Sequence, residues 1–213
     1  MKKISRLHFL TQDHPERSHA SQAEAALRAG ADWIQFRSKE KSPAEMKKTA
    51  LEIKTLCREH DAVLIVNDHV DLAREIGCGV HLGKSDLPVS EARKMLGEEC
   101  LIGGTANTFE DIEKLAAAGA DYLGVGPFRF TETKKKLAPI LGAVGIRKII
   151  DECERAAIHI PLIAIGGIRT GDVPEILRLG VHGFAISSAV NLADSPEKAA
   201  GEFLQFFPAR VFS

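Results

Sequence analysis

Short runs of apolar residues alternate along the chain with longer stretches in which apolar positions recur every three or four residues. The apolar runs are mostly continuous, which is typical of strands buried on both faces of a parallel sheet. The pattern predicts eight strands, at 5–11, 32–37, 62–67, 78–82, 100–104, 121–126, 161–166 and 182–187. It predicts helices at 20–30, 43–59, 69–77, 88–97, 108–119, 142–156, 171–180 and near 194–206.

Turn-forming residues separate these helices from the strands. Thr108 and Asp111 stand at capping-box spacing before a helix, with Asp in place of the usual Glu or Gln. Glycine follows many of the helices, as is common where a helix ends: Gly30, Gly77, Gly97, Gly119 and Gly180. These signals indicate that helix and strand are joined by short αβ turns.

The order of elements repeats along the chain. The segments RAGADWIQFR, AAGADYLGVG and RLGVHGFAIS each contain a helix end, a glycine, a short turn and a strand. Eight strands alternating with eight helices in 213 residues predict an α/β protein with a (β/α)8 TIM barrel, near the lower size limit for that fold. We expect residues 1–213 to form a single domain. A doubly wound open sheet is the competing fold, but it usually has fewer strands.

Composition narrows the classes of partner. A formal net charge of −1 gives no global basic field, so we expect no nucleic-acid partner and only a local anion site. No run of 18 apolar residues occurs, which predicts no membrane span. The four cysteines are widely spaced and predict reduced thiols in a cytoplasmic protein rather than a zinc site: Cys57, Cys78, Cys100 and Cys153.

Polar residues follow the predicted strands at their C-terminal ends, where the functional groups of such barrels lie. In chain order they are Gln35, Arg37, Lys39, Asn67, Asp68, Asp86, Thr105, Asn107, Thr131, Thr133, Lys134, Gly166, Gly167, Ser187 and Ser188. Two carboxylates among three bases suit a polyphosphate bridged by Mg²⁺. The glycine pair and the serines after the last two strands suit a monophosphate. The mouth is therefore predicted to hold two anions.

Each of these residues also has a purely structural interpretation. Arg37 and Lys39 could form an ion-pair network with Glu40 at the rim. Asp68 could cap the helix that follows it. Gly166 and Gly167 could serve a tight turn, and two histidines close to strands are more readily explained as packing residues: His81 and His182. The functional interpretation rests on the convergence of all these groups at one end of one barrel.

Six motifs in this order resemble the thiamine phosphate synthase family: QFRSK, VNDHVDLAREIGCGVHLGKSDLPVSEARKMLG, IGGTANT, GADYLGVGPFRFTETKK, PLIAIGGI and AISSAV. They extend from about Gln35 to Val190. The resemblance implies an Mg²⁺-dependent transferase that joins 4-amino-2-methyl-5-hydroxymethylpyrimidine pyrophosphate to a thiazole phosphate. The products it implies are thiamine phosphate and pyrophosphate. Its implied partners are thus two small phosphorylated substrates, and homo-oligomerisation stays open.

The resemblance also implies roles for individual residues. It assigns Asp68 and Asp86 to Mg²⁺ and Gln35 to the pyrimidine. It assigns the pyrophosphate to Arg37, Lys39, Asn67 and Lys134, and the thiazole phosphate and its surroundings to Thr131, Thr133, Gly167 and Ser188. Gly166 and Ser187, next to two of these, are substrate-binding candidates from the sequence pattern. Lys134, Arg37 and Thr105 are the residues expected to take part in catalysis. The reaction implied needs stabilisation of the departing pyrophosphate rather than a covalent nucleophile.

Several positions depart from the family pattern, and two other functions compete. The bulky residues Phe128, Arg129 and Phe130 stand ahead of the threonines. Thr105 stands where serine is common, Lys84 where glutamine is common, and Asn107 where histidine is frequent. A thiazole tautomerase-like isomerase on the same barrel would be expected to use that histidine and to lose much of the pyrophosphate and metal set. A non-catalytic phosphate-binding barrel would gain nothing from the carboxylates Asp68 and Asp86.

Overall fold

Eight short strands alternate with helices in the structure, a computed structural model that describes residues 2–130 and 139–207. The strands are β1 (Leu7–Leu10), β2 (Trp33–Phe36), β3 (Val63–Asn67), β4 (Gly79–Leu82), β5 (Ile102–Ala106), β6 (Tyr122–Val125), β7 (Leu162–Ala164) and β8 (Gly183–Ile186). The helices are α1 (His19–Arg28), α2 (Pro43–Glu59), α3 (Val70–Ile76), α4 (Val89–Leu96), α5 (Phe109–Ala117), α6 (Gly142–Arg155), α7 (Val173–Arg178), α8 (Ser188–Asn191) and α9 (Pro196–Leu204).

The strands form a closed barrel in which each pairs in parallel with the next and β8 pairs with β1. This confirms the predicted (β/α)8 barrel and excludes the open sheet. Strands β2, β4, β5, β6 and β8 are buried at every residue, because one face points into the barrel and the other packs against helices. That double burial explains why the apolar runs are continuous rather than alternating.

Local sequence signals determine several helix ends. The capping box predicted at Thr108 and Asp111 is present at the start of α5. A second capping box, between Ser42 and Glu45, begins α2. Gly77 ends α3 in the left-handed conformation, with φ of 63°. These caps satisfy backbone groups that would otherwise lack intrahelical partners, so they place the turns on either side of each strand.

The structure differs from the predicted elements mainly at their ends. Most strands are shorter than predicted by one or two residues at one or both ends, because apolar residues continue beyond the paired ladder, and β5 is displaced by two residues toward the mouth. A 3-10 turn at Thr170–Asp172 precedes α7, within the helix predicted over 171–180. Helix α8 was not predicted, since its four residues are too few to show a helical period.

The barrel interior below the mouth is filled by aromatic rings. Trp33 stacks on His8, with centroids 4.2 Å apart, and its ring meets Tyr122 at 88°. Gly103 lies opposite Tyr122 in the β5–β6 register, and a Cβ there would come within 2.2 Å of the phenol ring. Glycine in β5 therefore makes room for the tyrosine in β6, and these rings form a packed floor beneath the open end.

The cysteines and the helix lengths are also defined by the structure. All four cysteines are free thiols. Within residues 2–130 and 139–207, no helix combines the length and the apolar character that crossing a bilayer requires.

Candidate active site

A cavity of about 560 Å³ opens at the C-terminal ends of the strands. Most of the residues singled out in the sequence line it: Gln35, Arg37, Lys39, Asn67, Asp68, Asp86, Thr105, Asn107, Gly166, Gly167, Ser187 and Ser188. Thr131, Thr133 and Lys134 lie outside the residues that the structure describes. The barrel thus brings the described candidates together from six strand ends, and their roles stay predictions.

Two carboxylates face each other beyond β3 and β4. Asp68 has a left-handed backbone, with φ of 68°, and its amide donates to the His81 carbonyl at 2.9 Å. Partial desolvation and the neighbouring Asp86 carboxylate raise the pKa of Asp68 to about 6, against the lowering effect of Arg37. Asp86 Oδ2 accepts from the Gly83 amide at 2.6 Å, which fixes that carboxylate.

The helix-cap interpretation of Asp68 is wrong. Helix α3 begins after His69, which occupies the N-cap position, and no side-chain cap hydrogen bond is formed there. Asp68 lies one residue earlier and turns toward the cavity. Its left-handed backbone is uncommon for a non-glycine residue, and strained conformations of this kind often occur at functional sites.

Arg37 lies between two acidic side chains. Burial lowers the pKa of its guanidinium, while the carboxylates of Asp68 and Asp13 oppose that effect. A half-buried arginine held between carboxylates stays charged. Arg37 therefore supplies fixed positive charge beside the Asp68–Asp86 pair.

Asp13, which the sequence analysis did not single out, holds the loop that carries Arg37 and Lys39. Its carboxylate accepts from the Ser38 hydroxyl at 2.5 Å and from the Lys39 amide at 2.8 Å. His19 Nε2 lies 3.1 Å from the same carboxylate. The first strand also ends in polar residues, so the rule applied to the other strand ends would have found Asp13.

Two groups of side-chain hydrogen bonds lie on the floor of the cavity. Gln35 Nε2 donates to Asn67 Oδ1 at 2.7 Å. His81 lies 3.0 Å from the Thr105 hydroxyl through Nε2 and 3.2 Å from the Tyr122 hydroxyl through Nδ1. His81 is buried against Tyr122, as the packing interpretation expects, and it also lies directly behind Thr105, a predicted substrate-binding group.

The β7 side of the mouth is built from backbone. Gly166 and Gly167 both have positive φ, 97° and 64°. A Cβ on Gly166 would come within 2.7 Å of Pro127, and one on Gly167 within 2.7 Å of the Phe130 carbonyl oxygen. Both positions therefore require glycine, because the segment after β6 lies directly against them.

An ion pair holds that segment in place. Arg129 donates to both carboxylate oxygens of Asp172, at 2.7 and 2.8 Å, and to the Gly167 carbonyl at 3.1 Å. The Phe128 amide donates to the Ile165 carbonyl at 2.7 Å. The described end of this segment, just before Thr131, is thus fixed to the β7 side of the cavity.

The two serines after β8 differ in their surroundings. The Ser187 hydroxyl donates to Gln12 Oε1 at 3.0 Å and accepts from Asn191 Nδ2 at 3.3 Å. Ser188 begins α8 and is only partly exposed at the cavity wall. Ser187 therefore ties the first and last strand ends together, which the sequence did not indicate.

Two of the residues that depart from the family pattern have structural partners. Asn107 Nδ2 donates to the Gly126 carbonyl at 2.6 Å, which links the ends of β5 and β6. Lys84 pairs with Asp111 at 2.6 Å. Both therefore hold loops around the mouth.

The chain is similar in sequence and in fold to known proteins of one family. Residues 7–190 match the family described as thiamine monophosphate synthase. The thiamine-phosphate synthase of Bacteroides fragilis is 51% identical over 191 residues, covering 89% of this chain and 94% of that protein. That of Bacteroides thetaiotaomicron is 48% identical, covering 89% and 91%. A solved structure of thiamine phosphate pyrophosphorylase from Pyrococcus furiosus is 32% identical, with a TM-score of 0.83 and 94% of each chain covered.

Proposed function

Because the chain belongs to the thiamine monophosphate synthase family, we propose that it catalyses the transferase reaction of that family. It joins hydroxymethylpyrimidine pyrophosphate to thiazole phosphate and gives thiamine phosphate and pyrophosphate. The observation that carries this proposal is the convergence of Arg37, Asn67, Asp68 and Asp86 on one cavity in a chain 51% identical to a thiamine-phosphate synthase.

The donor set at the mouth fits Mg²⁺. Asp68 and Asp86 lie close enough to raise the pKa of Asp68, so the pair is unfavourable when both are charged and no cation is present. Mg²⁺ binds oxygen ligands, usually takes one or two carboxylates and completes its shell with substrate phosphates and water. Asp68 and Asp86 would hold the ion, and it would neutralise charge on the pyrophosphate oxygens.

The remaining residues of this side bind and position the leaving group. Arg37, held between Asp68 and Asp13, and Lys39, whose amide donates to Asp13, supply positive charge where the pyrophosphate departs. Preorganised charge of this kind stabilises the transition state because little reorganisation is needed during reaction. Lys134 is expected to act with them, and Thr131 and Thr133 to contact the thiazole phosphate.

The floor and the β7–β8 side orient the two rings. Gln35 and Thr105 line the floor and offer an amide and a hydroxyl to the pyrimidine. Gly166 and Gly167 allow close approach of the backbone, and Ser188 lies beside them at the wall. The protein acts mainly by holding both reactants in line, which can supply much of the rate enhancement.

The competing functions fit less well. A tautomerase-like isomerase would be expected to use a histidine at the position of Asn107, whose amide is bonded to the Gly126 carbonyl. A phosphate-binding barrel without activity has no use for two adjacent carboxylates. The free thiols agree with a reducing compartment, and we propose a cytoplasmic location.

The direct test mixes both proposed substrates with Mg²⁺ and detects thiamine phosphate and pyrophosphate by mass spectrometry. Reactions without the thiazole phosphate, and with EDTA in place of Mg²⁺, serve as controls. We expect product only in the complete mixture. Isomerisation of a thiazole phosphate without the pyrimidine substrate would support the tautomerase-like isomerase instead. Binding without turnover would support the non-catalytic phosphate-binding barrel.

A further inference from the structure

Hydrogen bonds connect the Tyr122 hydroxyl to His81 and His81 to the Thr105 hydroxyl. The buried phenol of Tyr122 determines which atom donates at each step. Tyr122 is 1% exposed, and burial raises the pKa of its hydroxyl far above the ordinary value, so it remains protonated. Among the described residues, His81 Nδ1 is the hydrogen-bond partner of that hydroxyl, at 3.2 Å. A buried O–H group without an acceptor costs free energy, so Tyr122 donates its proton to Nδ1.

That donation determines the tautomer of His81. With Nδ1 accepting, the proton of the neutral imidazole lies on Nε2. Nε2 then donates to the Thr105 hydroxyl oxygen, 3.0 Å away. The opposite tautomer would have Thr105 donate to Nε2 and would leave the Tyr122 proton without an acceptor among the described residues.

We propose that Tyr122 and His81 are positioning residues that turn the Thr105 hydroxyl into a fixed donor toward the cavity. Thr105 accepts from His81, so its one proton is available to an acceptor atom of the bound ring. On the proposed function, on which this step rests, that acceptor is a ring nitrogen of the pyrimidine substrate. Tyr122 and His81 thus help to select a nitrogen heterocycle, although the hydrogen bond to the ring comes from Thr105.

A second polar side chain on the floor has the complementary polarity. The Gln35 amide donates through Nε2 to Asn67 Oδ1, 2.7 Å away. Gln35 therefore keeps its Oε1 as an acceptor for ligand N–H groups. An acceptor on Gln35 and a donor on Thr105 suit a ring that carries both an amino group and a ring nitrogen.

The geometry around the phenol favours this fixed arrangement. The Tyr122 ring packs against Trp33 at 88° and against His8 at 77°, with centroids 5.2 and 5.0 Å away. His8 Nε2 is itself paired with the Ser5 carbonyl at 3.0 Å. Since Gly103 provides just enough room for the ring, the hydroxyl is held at one position.

The test measures binding, because replacing a ring nitrogen also changes reactivity. Calorimetry compares hydroxymethylpyrimidine pyrophosphate with two analogues, each having one ring nitrogen replaced by C–H, in the presence of Mg²⁺. The wild-type protein is expected to bind one analogue about threefold to tenfold more weakly, as for loss of one neutral hydrogen bond. Thr105→Val and Tyr122→Phe are expected to bind the substrate more weakly by a similar factor and to lose the discrimination.

Two further variants separate positioning from a general structural effect. Tyr122→Phe and Thr105→Val together should weaken binding no more than Thr105→Val does, because both remove the same donor. His81→Gln, whose Nε2 can donate to Thr105 without help from Tyr122, should keep the discrimination even with Tyr122→Phe added. Thermal unfolding of each variant controls for loss of fold.

Equal weakening of the substrate and both analogues in Tyr122→Phe would overturn the proposal, as would additive losses in the double variant. So would wild-type protein that does not distinguish the analogues. If the wild type makes thiamine phosphate while any of these results holds, the proposed function survives and only this inference fails. If no coupled product forms at all, the proposed function fails first.

Discussion

The two sides of the mouth are built in different ways. The side formed by β2 to β5 presents charged and polar side chains that are held by other side chains, as Asp13 holds the Lys39 loop and His81 contacts Thr105. The side formed by β7 and β8 presents mainly backbone, shaped by glycines against the segment after β6. Charge can be removed from the first side with little change of shape, whereas substitutions on the second side change the shape itself.

The largest expected effect is loss of charge on the first side. Asparagine at position 68 keeps the size of the side chain and tolerates the left-handed backbone, so Asp68→Asn isolates the charge. We expect kcat/KM to fall by about a hundredfold or more, as for loss of a transition-state electrostatic group. Steady-state kinetics at saturating Mg²⁺ measures this.

Asp71→Asn is the matched control for that variant. Asp71 lies three residues further on, on the surface of α3, and its side chain is 83% exposed. The same loss of charge there should leave turnover near the wild-type value. Comparable losses in both variants would mean that net charge matters and not the position at the mouth.

On the second side, Gly167→Ala should affect both shape and stability. The new methyl group would come within 2.7 Å of the Phe130 carbonyl oxygen, at a φ of 64°. We expect the free energy of unfolding to fall by about 1–3 kcal/mol and the KM for thiazole phosphate to rise more than that for the pyrimidine substrate. Chemical denaturation and kinetics with each substrate varied measure the two effects.

Gly171→Ala controls for that substitution, because a methyl group there meets no atom within 4 Å. It should leave both KM values and stability almost unchanged. An equal rise of the two KM values in Gly167→Ala would contradict the assignment of the β7–β8 side to the thiazole phosphate.

We expect the effect of pH on the free energy of unfolding to come from the first side of the mouth, where Asp68 lies. Desolvation and Asp86 raise the pKa of Asp68 to about 6, above the value of about 4 for an unfolded aspartate. Between these values the folded state binds more protons than the unfolded chain, so this contribution to the free energy of unfolding decreases as pH rises. Without Mg²⁺, Asp68→Asn should therefore become stabilised relative to wild type as pH increases from about 4 to about 7.

Thermal unfolding in EDTA across that pH range measures the difference in Tm between the two proteins. Adding Mg²⁺ at neutral pH should stabilise the wild type and reduce the difference, because a bound cation would offset the repulsion between the two ionised carboxylates. A difference in Tm that does not change with pH would show that the folded protein does not raise the pKa of Asp68.

The smallest effect is expected for Lys84→Ala. Lys84 is half exposed and pairs with Asp111 at the rim, 2.6 Å away. Such surface pairs contribute less than about 1 kcal/mol, and turnover should stay close to the wild-type value. A large rise in the KM of the pyrimidine pyrophosphate would instead place Lys84 among the pyrophosphate contacts.

The sequence predicted the barrel well because its signals are local and repeated. Continuous apolar runs, helix caps such as Thr108 and glycines such as Gly77 act within a few residues, so they can be recognised without knowledge of the fold. Helix α8 was missed because four residues carry no period. Asp13 follows β1 in the same way that the other polar residues follow their strands, and its position in sequence gives no sign that it holds the loop after β2.

The roles of two residues depended on contacts between distant parts of the chain. His81 has the same neighbours in sequence whether it packs or supports a substrate contact, and only the closure of the barrel brings it to Thr105 and Tyr122. Gly167 looks like any turn glycine until the segment ending at Phe130 lies against it.

The sequence by itself determined the order of strands and helices, and with it the end of the barrel at which the polar residues gather. Only the tertiary structure decided which side chains are charged, which donate and which accept, because these properties depend on burial and on partners far away in the chain. Asp68 illustrates the division: its place after β3 follows from the sequence, and its raised pKa follows from its burial and from Asp86, 18 positions later.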